Sequence, residues 1–300
     1  MTIPRQLATP ACEPIEQKAT RCPARIFNQL KSPAAGPVAG TPEPLAGTAP
    51  ECIFVTGVMR SGTTILQRIV AHSLSTDYIR QECSLRIPVE SFQVLERHQA
   101  YAPMERADYV EQYQRFLSGL LATMRGRIGG ELVLKDPLAL NTLLACHELM
   151  PRTKFIISIR NPMSTAASIY RVRNRQRQQG KSSFIAPMDF GDIVEYIARL
   201  CDIIISLREK DNVCMVKYEE LVGRDPTALA RLGSFIGASV KLDLPDDSAA
   251  YDPEHAFWTP ESGQELLTSS LDKYQAELST DETALVASKL ARFNALFAYD

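Results

Sequence analysis

Short apolar runs alternate along this chain with longer segments in which apolar residues recur every three or four positions. Runs of the first kind predict β-strands over residues 52–56, 132–134, 154–159 and 213–216. Helical spacing predicts α-helices over residues 63–74, 109–124, 193–207 and 285–297. This alternation is typical of βαβ units, so we expect an α/β fold of three layers, with a central parallel sheet flanked by helices.

Two helix ends carry local signals. Ser279 and Glu282 have the spacing of a capping box at the start of the last helical segment. Pro226 suits the first turn of a further helix, whose apolar positions continue as far as Gly237. Both signals predict helix boundaries independently of the apolar pattern.

The first 50 residues differ from the rest of the chain in composition. They are rich in Pro, Ala, Thr and Gly and show no periodicity, so they cannot bury enough apolar surface to order themselves. We therefore expect a disordered arm over residues 1–50 and one domain over residues 51–300.

Charge, cysteine and hydropathy patterns exclude several classes of protein. A formal net charge of −2 gives no overall attraction to nucleic acid or to an anionic membrane, so any anion site must be local. The 7 cysteines include no Cys-x-x-Cys pair, which argues against a disulfide framework or a zinc site and favours a reducing compartment. We find no segment fit to span a bilayer and no basic stretch leading into an apolar leader, and we expect a cytoplasmic protein.

Charged side chains follow every predicted strand. Arg60, Lys135, Arg160 and Lys217 all lie at or just beyond a strand exit. In an open parallel sheet the ligand crevice lies at the carboxyl ends of the strands. The sequence therefore predicts that three of these exits place cations around one site for a polyanionic ligand, although they are far apart in the chain.

Residues 57–64 read Gly-Val-Met-Arg-Ser-Gly-Thr-Thr and predict a phosphate-binding turn between a strand and a helix. The spacing is that of the P-loop Gly-x-x-x-x-Gly, but Thr63 stands where a nucleotide triphosphatase has lysine. Backbone N–H groups, the helix dipole and the hydroxyls of Thr63 and Thr64 would meet an anion there. The alternative is an ordinary glycine turn capped by Ser61 or Thr63.

A second candidate phosphate site follows the third strand. Arg160 ends that strand, and Ser168 lies two turns into the next helix, so arginine and hydroxyl can meet at one phosphate. The alternative is a surface ion pair for Arg160 and a solvent-facing Ser168. The arginines that follow, at positions 171, 173, 175 and 177, are more typical of a solvated helix face.

Together these motifs resemble those of the sulfotransferase family. Residues 57–64 look like its 5′-phosphosulfate loop, and residues 160–162 (Arg-Asn-Pro) with Ser168 are similar to its 3′-phosphate segment. The resemblance implies a P-loop-like fold and the donor 3′-phosphoadenosine 5′-phosphosulfate (PAPS), bound through Arg60, Ser61, Gly62, Thr63, Thr64, Arg160 and Ser168. It implies a hydroxyl-bearing acceptor, and no metal ion, because a sulfuryl group carries less charge than a γ-phosphoryl group.

Within that family, Arg-Ser-Gly-Thr-Thr in the loop and Lys-Asp-Pro at residues 135–137 resemble the tyrosylprotein and carbohydrate branches most closely. By the same analogy Glu82 is the candidate base, and Arg60 and Lys135 stabilise charge on the transferred group. His255 is a rival base. Ser270 and Lys273 lie where the family places a loop over the donor, although an ordinary loop also explains them.

Two other classes stay open from the sequence. A P-loop kinase would need Mg²⁺ and would accept ATP, which the missing loop lysine disfavours. A nucleotide-binding module without catalysis would bind the desulfated donor but would show no turnover. For a sulfotransferase, the motifs do not identify the acceptor, because the same fold and donor site serve unrelated acceptors.

Overall fold

A parallel sheet forms the centre of the fold. The computed structural model describes residues 51–78, 85–98, 105–245 and 271–299. Within that part of the chain the sheet has four strands: β1 (Ile53–Gly57), β2 (Val133–Lys135), β3 (Lys154–Ile159) and β4 (Val213–Lys217). They lie in the order β2-β1-β3-β4, and each neighbouring pair is parallel. The predicted α/β class is confirmed, and every predicted strand end lies within one residue of the observed one.

Helices follow the strands and cover both faces of the sheet. They are α1 (Thr63–Ser73), α2 (Arg86–Arg97), α3 (Arg106–Ile128), α4 (Leu143–Leu149), α5 (Pro162–Gln178), α6 (Phe190–Leu207), α7 (Tyr218–Val222), α8 (Pro226–Ile236), α9 (Tyr274–Glu277), α10 (Thr280–Lys289) and α11 (Ala291–Phe297). A 3₁₀ helix over Pro137–Thr142 follows β2. None of the described helices is long and apolar enough to cross a membrane.

The strands are buried on both faces, which explains their continuous apolar runs. Phe54 and Phe155 are register partners and meet edge to face at 6.1 Å on the face covered by α5 and α6. Val55 and Ile156, the next register pair, point to the opposite face, where they pack with apolar residues of α1 and α8. The sheet is thus the middle of three layers.

The C-terminal helix differs from the prediction. Residues 285–297 do not form one helix: α10 ends at Lys289, α11 begins at Ala291, and Leu290 between them leaves helical geometry (φ −109°, ψ 15°). Apolar spacing is the same on both sides of this break, so the pattern does not reveal it.

The capping box of Ser279 and Glu282 is confirmed, as are the helix start at Pro226 and its end at Gly237. Residues 1–50 lie outside the described part, and the predicted arm stays a prediction.

Candidate functional site

The turn after β1 fits tightly against its neighbours. A Cβ atom at Gly57 would lie 2.3 Å from the carbonyl oxygen of Ser158, so only glycine is tolerated there. Gly62 has a positive φ of 96°, and a Cβ on it would lie 2.5 Å from the ring of Tyr218. Ser61 Oγ donates to Ser158 O at 3.0 Å, and Ser158 Oγ donates back to Ser61 O at 2.6 Å. These contacts fix the turn against β3 and α7.

The first turn of α1 faces this loop without a side-chain cap. Its N-cap is Gly62, which has no side chain, and no side-chain capping hydrogen bond is found there among the described residues. The alternative of a turn capped by Ser61 or Thr63 is therefore not observed. The N-terminal N–H groups of a helix and its dipole attract anions, so this end of α1 has the character of a phosphate site.

Arg60 connects the loop to the second predicted phosphate segment. Its Nε donates to Ser168 Oγ at 3.3 Å, and its carbonyl oxygen accepts from Arg160 Nη1 at 3.2 Å. Arg60 has a positive φ of 70°, which is uncommon for a residue with a side chain and is a form of strain that concentrates at functional sites. Three residues from two motifs about 100 positions apart thus meet at one point.

Lys135 brings a further cation to the loop. Lys135 is the last residue of β2 and is only 6% exposed. Its Nζ donates a hydrogen bond to Thr64 Oγ1 at 3.2 Å. Arg60, Lys135 and Arg160 thus lie at the carboxyl ends of the neighbouring strands β1, β2 and β3, and these three residues are called the cation cluster. Three cations beside an uncapped helix N-terminus suit a ligand with several negative charges.

Arg160 is held by aromatic and acidic neighbours. Its Cζ lies 4.8 Å from the centre of the Tyr218 ring, within the range of a cation–π contact. Burial lowers the pKa of Arg160, and Tyr218 and Glu219 act in the opposite direction. A guanidinium stays protonated in proteins, so Arg160 is a fixed positive charge.

Helix α5 presents Ser168 toward this cluster. Asn161 caps the helix, because its side-chain oxygen accepts from the backbone N of Met163 at 2.8 Å. Ser168, at 8% exposure, is buried rather than solvent-facing.

The prediction that the arginines at positions 171, 173, 175 and 177 form a solvated helix face is wrong for Arg173. This residue is 8% exposed, and its Cζ lies 5.5 Å from the centre of the Tyr170 ring.

Some predicted residues cannot be placed. Glu82, His255 and Ser270 lie outside the described residues, so their roles stay predictions. Lys273 is described and is the N-cap of α9. The carbonyl of Leu271, two positions earlier, accepts from Ser164 Oγ at 2.6 Å, which brings this segment to the start of α5.

The sequence assigned no role to three residues that lie near the cation cluster, namely Tyr218, Glu219 and Tyr299. Tyr218 packs on Gly62 and Arg160, as described above. Glu219 accepts hydrogen bonds from Asn161 N at 2.8 Å and from the Tyr299 hydroxyl at 2.9 Å. The signal for Tyr218 and Glu219 was their position directly after a strand exit.

A salt bridge lies beside Lys135, at the start of the 3₁₀ helix. Asp136 is 3% exposed, caps that helix by accepting from Leu138 N at 2.9 Å, and has its other oxygen 3.7 Å from Arg86 Nε.

Among the described residues no group of three or more His, Cys, Asp or Glu side chains is arranged to hold a metal ion.

The fold is a P-loop-like α/β fold that carries a cluster of cations at the carboxyl edge of its parallel sheet. A family model described as "Sulfotransferase family" matches residues 50–241, which is more than half of the chain. The protein belongs to the sulfotransferase family. A search of curated proteins found no significant match.

Solved structures of similar fold include two sulfotransferase domains. The domain from the curacin biosynthetic pathway is 20% identical, with a TM-score of 0.51 over 81% of this chain and 98% of that one. The domain from the Synechococcus PCC 7002 olefin synthase is 18% identical, with a TM-score of 0.51 over 85% of this chain and 97% of that one. Identities this low establish a shared fold and do not distinguish the tyrosylprotein or carbohydrate branch.

Proposed function

We propose that the protein transfers a sulfuryl group from PAPS to a hydroxyl group of an acceptor. The observation that carries this proposal is the meeting of Arg60 with both Arg160 and Ser168, at 3.2 and 3.3 Å. Two segments whose sequences resemble the 5′- and 3′-phosphate sites of sulfotransferases are therefore adjacent. PAPS carries one phosphate at the 5′ position and another at the 3′ position of its ribose, so its binding requires both sites to lie close together.

The donor would bind across this junction. Its 5′ end would lie on residues 60–64, against the N-terminus of α1, and its 3′-phosphate between Arg160 and Ser168. Arginine suits the second position because its planar fork can give two parallel hydrogen bonds to a phosphate. ATP has no 3′-phosphate, so occupation of this second position distinguishes PAPS from ATP.

Transfer would proceed by in-line displacement. The acceptor oxygen forms a bond to sulfur while the bond from sulfur to the bridging oxygen breaks, and 3′-phosphoadenosine 5′-phosphate (PAP) leaves. We propose Glu82 as the base that takes the acceptor proton. Arg60 and Lys135, already in place around the loop, would stabilise charge on the bridging and sulfuryl oxygens.

A thermal-shift titration tests the donor. A ligand that binds only the native state raises stability in proportion to the logarithm of its concentration over Kd, by about 2.7 kcal/mol at 100 times Kd. We expect PAP, without Mg²⁺, to raise the melting temperature more than ADP does. Equal or greater stabilisation by Mg-ATP would contradict the proposal and favour a P-loop kinase.

A transfer assay separates the enzyme from a module that only binds nucleotide. Labelled PAPS and a panel of phenols, sugars, lipids and peptides would be incubated with the wild type and with Lys135→Met. We expect transfer to at least one hydroxyl, and a loss of about 100-fold or more in Lys135→Met, the scale seen when a group stabilising transition-state charge is removed. PAP binding with no transfer to any acceptor would favour the module.

A further inference from the structure

The carboxylate of Glu219 joins three separate segments of the chain next to the cation cluster. One oxygen accepts from the backbone N of Asn161, at the turn between β3 and α5, at 2.8 Å. The other accepts from the hydroxyl of Tyr299, 80 positions further along the chain, at 2.9 Å. Glu219 itself belongs to α7, which directly follows β4. A single side chain therefore fixes the C-terminal turn, the β4–α7 junction and the β3–α5 turn to one another.

Tyr299 is firmly placed for this contact. It is 9% exposed, its ring stacks on Phe293 with centroids 6.1 Å apart, and Lys217 Nζ lies 4.9 Å from its ring centre. Its backbone N donates to Asn294 O at 3.0 Å, which closes the turn after α11. Burial raises the pKa of Tyr299, and the charge of Glu219 adds to the effect. The phenol therefore keeps its proton at neutral pH and acts as the donor.

The backbone N that Glu219 holds lies immediately after Arg160. Asn161 caps α5, and Arg160 points its Nη1 to the carbonyl of Arg60 and its guanidinium over the Tyr218 ring. A shift of the Asn161 backbone would therefore move Arg160, and would also move the first turns of α5, which carries Ser168. Neither Glu219 nor Tyr299 needs to touch a ligand to affect both groups.

We propose that Glu219 and Tyr299 are positioning residues for the 3′-phosphate site, with Tyr299 orienting the Glu219 carboxylate and Glu219 fixing the turn that presents Arg160. This inference rests on the proposed function, because it assigns the network to the donor's 3′-phosphate. It also makes a statement about the Arg160 turn itself, which can be measured without a ligand.

The first test is Tyr299→Phe, which removes the hydroxyl and retains the ring that contacts Phe293 and Lys217. Loss of a hydrogen bond to a charged group predicts about a tenfold rise in the PAP Kd and in the KM for PAPS. We expect kcat at saturating PAPS to change by less than about twofold, because the charge-stabilising groups Arg60 and Lys135 stay in place. A variant that was merely less stable would lose active protein, and so apparent kcat, without a change in the Kd of the folded fraction.

A double-mutant cycle asks whether Tyr299 acts through Arg160. In an Arg160→Ala background, Tyr299→Phe should change the PAP Kd by less than about twofold, because residues that act through one another are not additive. Additive losses in the cycle would overturn the proposed route through Arg160.

Amide hydrogen exchange tests the network without nucleotide. In Tyr299→Phe we expect faster exchange at Asn161 and the first turn of α5, with β1 and β3 unchanged. Lys289→Met is the matched control, since it removes another C-terminal contact, the ion pair with Glu195 at 3.0 Å. This control should leave both exchange at Asn161 and PAP binding unchanged.

Glu219→Gln and Glu219→Ala provide an independent pair should Tyr299→Phe fold poorly. The amide oxygen of glutamine can still accept from Asn161 N, so Glu219→Gln should retain most of the PAP affinity and Glu219→Ala should lose it. Equal affinities in the two variants would overturn the proposal.

The two proposals fail in different ways. Unchanged exchange at Asn161 in Tyr299→Phe would overturn the positioning role even if the wild type binds PAP. A wild type that does not bind PAP would overturn the proposed function and with it the assignment of this network to a 3′-phosphate.

Discussion

Arg60 is the residue on which the geometry of the site depends most. Its positive φ of 70° directs its carbonyl to Arg160 and its side chain to Ser168. Backbone strain of this kind costs on the order of 1–3 kcal/mol and persists only where surrounding contacts impose it. Here those contacts come from Arg160 and Ser168, to which we assign the donor's 3′-phosphate, so the strain and the proposed binding site coincide.

Removal of Arg160 tests the 3′-phosphate assignment. We expect Arg160→Ala to weaken PAP binding by roughly 2–3 kcal/mol, because a charge-assisted hydrogen bond to the phosphate is lost. Isothermal titration calorimetry measures the change. Arg208→Ala is the control, since Arg208 is exposed and pairs with Glu209 at 2.7 Å. Wild-type affinity in Arg160→Ala would refute the assignment.

Glu82 is the proposed base, and Glu82→Gln tests it. An amide cannot take the acceptor proton, so we expect kcat to fall by about 100-fold or more while the PAP Kd stays near that of the wild type. His255→Ala is the paired variant. Near-normal turnover in Glu82→Gln, together with a large loss in His255→Ala, would transfer the role to the histidine.

At the scale of elements, the unit of β1, the loop and α1 is specified by close contacts as well as by spacing. Gly57 and Gly62 are both required because backbone and ring atoms of β3 and α7 approach them closely. The same approach places Tyr218 between Gly62 and Arg160. The loop is thus shaped by two other elements and not by its own sequence alone.

Gly62→Ala tests the contact with Tyr218. Left-handed geometry alone costs alanine roughly 1–2 kcal/mol. Overpacking typically adds about 1–3 kcal/mol. Gly237 is a matched control, because it has a φ of 81° but nothing within 4 Å of its added Cβ. We expect urea unfolding to show a larger loss of stability for Gly62→Ala than for Gly237→Ala. Equal losses would mean that the Tyr218 ring moves aside without cost.

At the scale of the whole molecule, one sheet separates two apolar layers, and buried cysteines are distributed through both. In the described part of the chain, Cys52, Cys146, Cys201 and Cys214 are all buried. Burial raises the pKa of Cys146 to about 12 and also raises the pKa of Cys201 and of Cys214. Native thiols of this kind react poorly, since the thiolate is the nucleophile.

Thiol labelling therefore reports global unfolding. At pH 8 we expect the thiolate fraction of Cys146 to be lower by about a thousandfold than that of an ordinary thiol, from the shift of its pKa from 9.0 to about 12. Labelling with iodoacetamide, mapped by mass spectrometry, should spare all four sites in the native protein and modify them in urea. PAP should slow their modification near the unfolding midpoint. Rapid native labelling of Cys146 would contradict its burial.

The sequence by itself determined the features that depend on neighbouring residues. Apolar runs located all four described strands because strands buried on both faces must be apolar throughout. The capping box of Ser279 and Glu282 and the end at Gly237 followed from helix-terminus chemistry. The glycine spacing of residues 57–62 located the turn between β1 and α1, although the close contacts that require Gly57 and Gly62 come from β3 and α7.

Only the tertiary structure decided which distant residues meet. The break at Leu290 and the burial of Arg173 depend on packing, which periodicity does not encode. The junction of Arg60 with Ser168, 108 positions apart, follows from the strand order β2-β1-β3-β4, which places the exits of β1 and β3 side by side. The contact between Glu219 and Tyr299 depends on where α11 packs, and side chains that meet in this way carry no pattern along the chain.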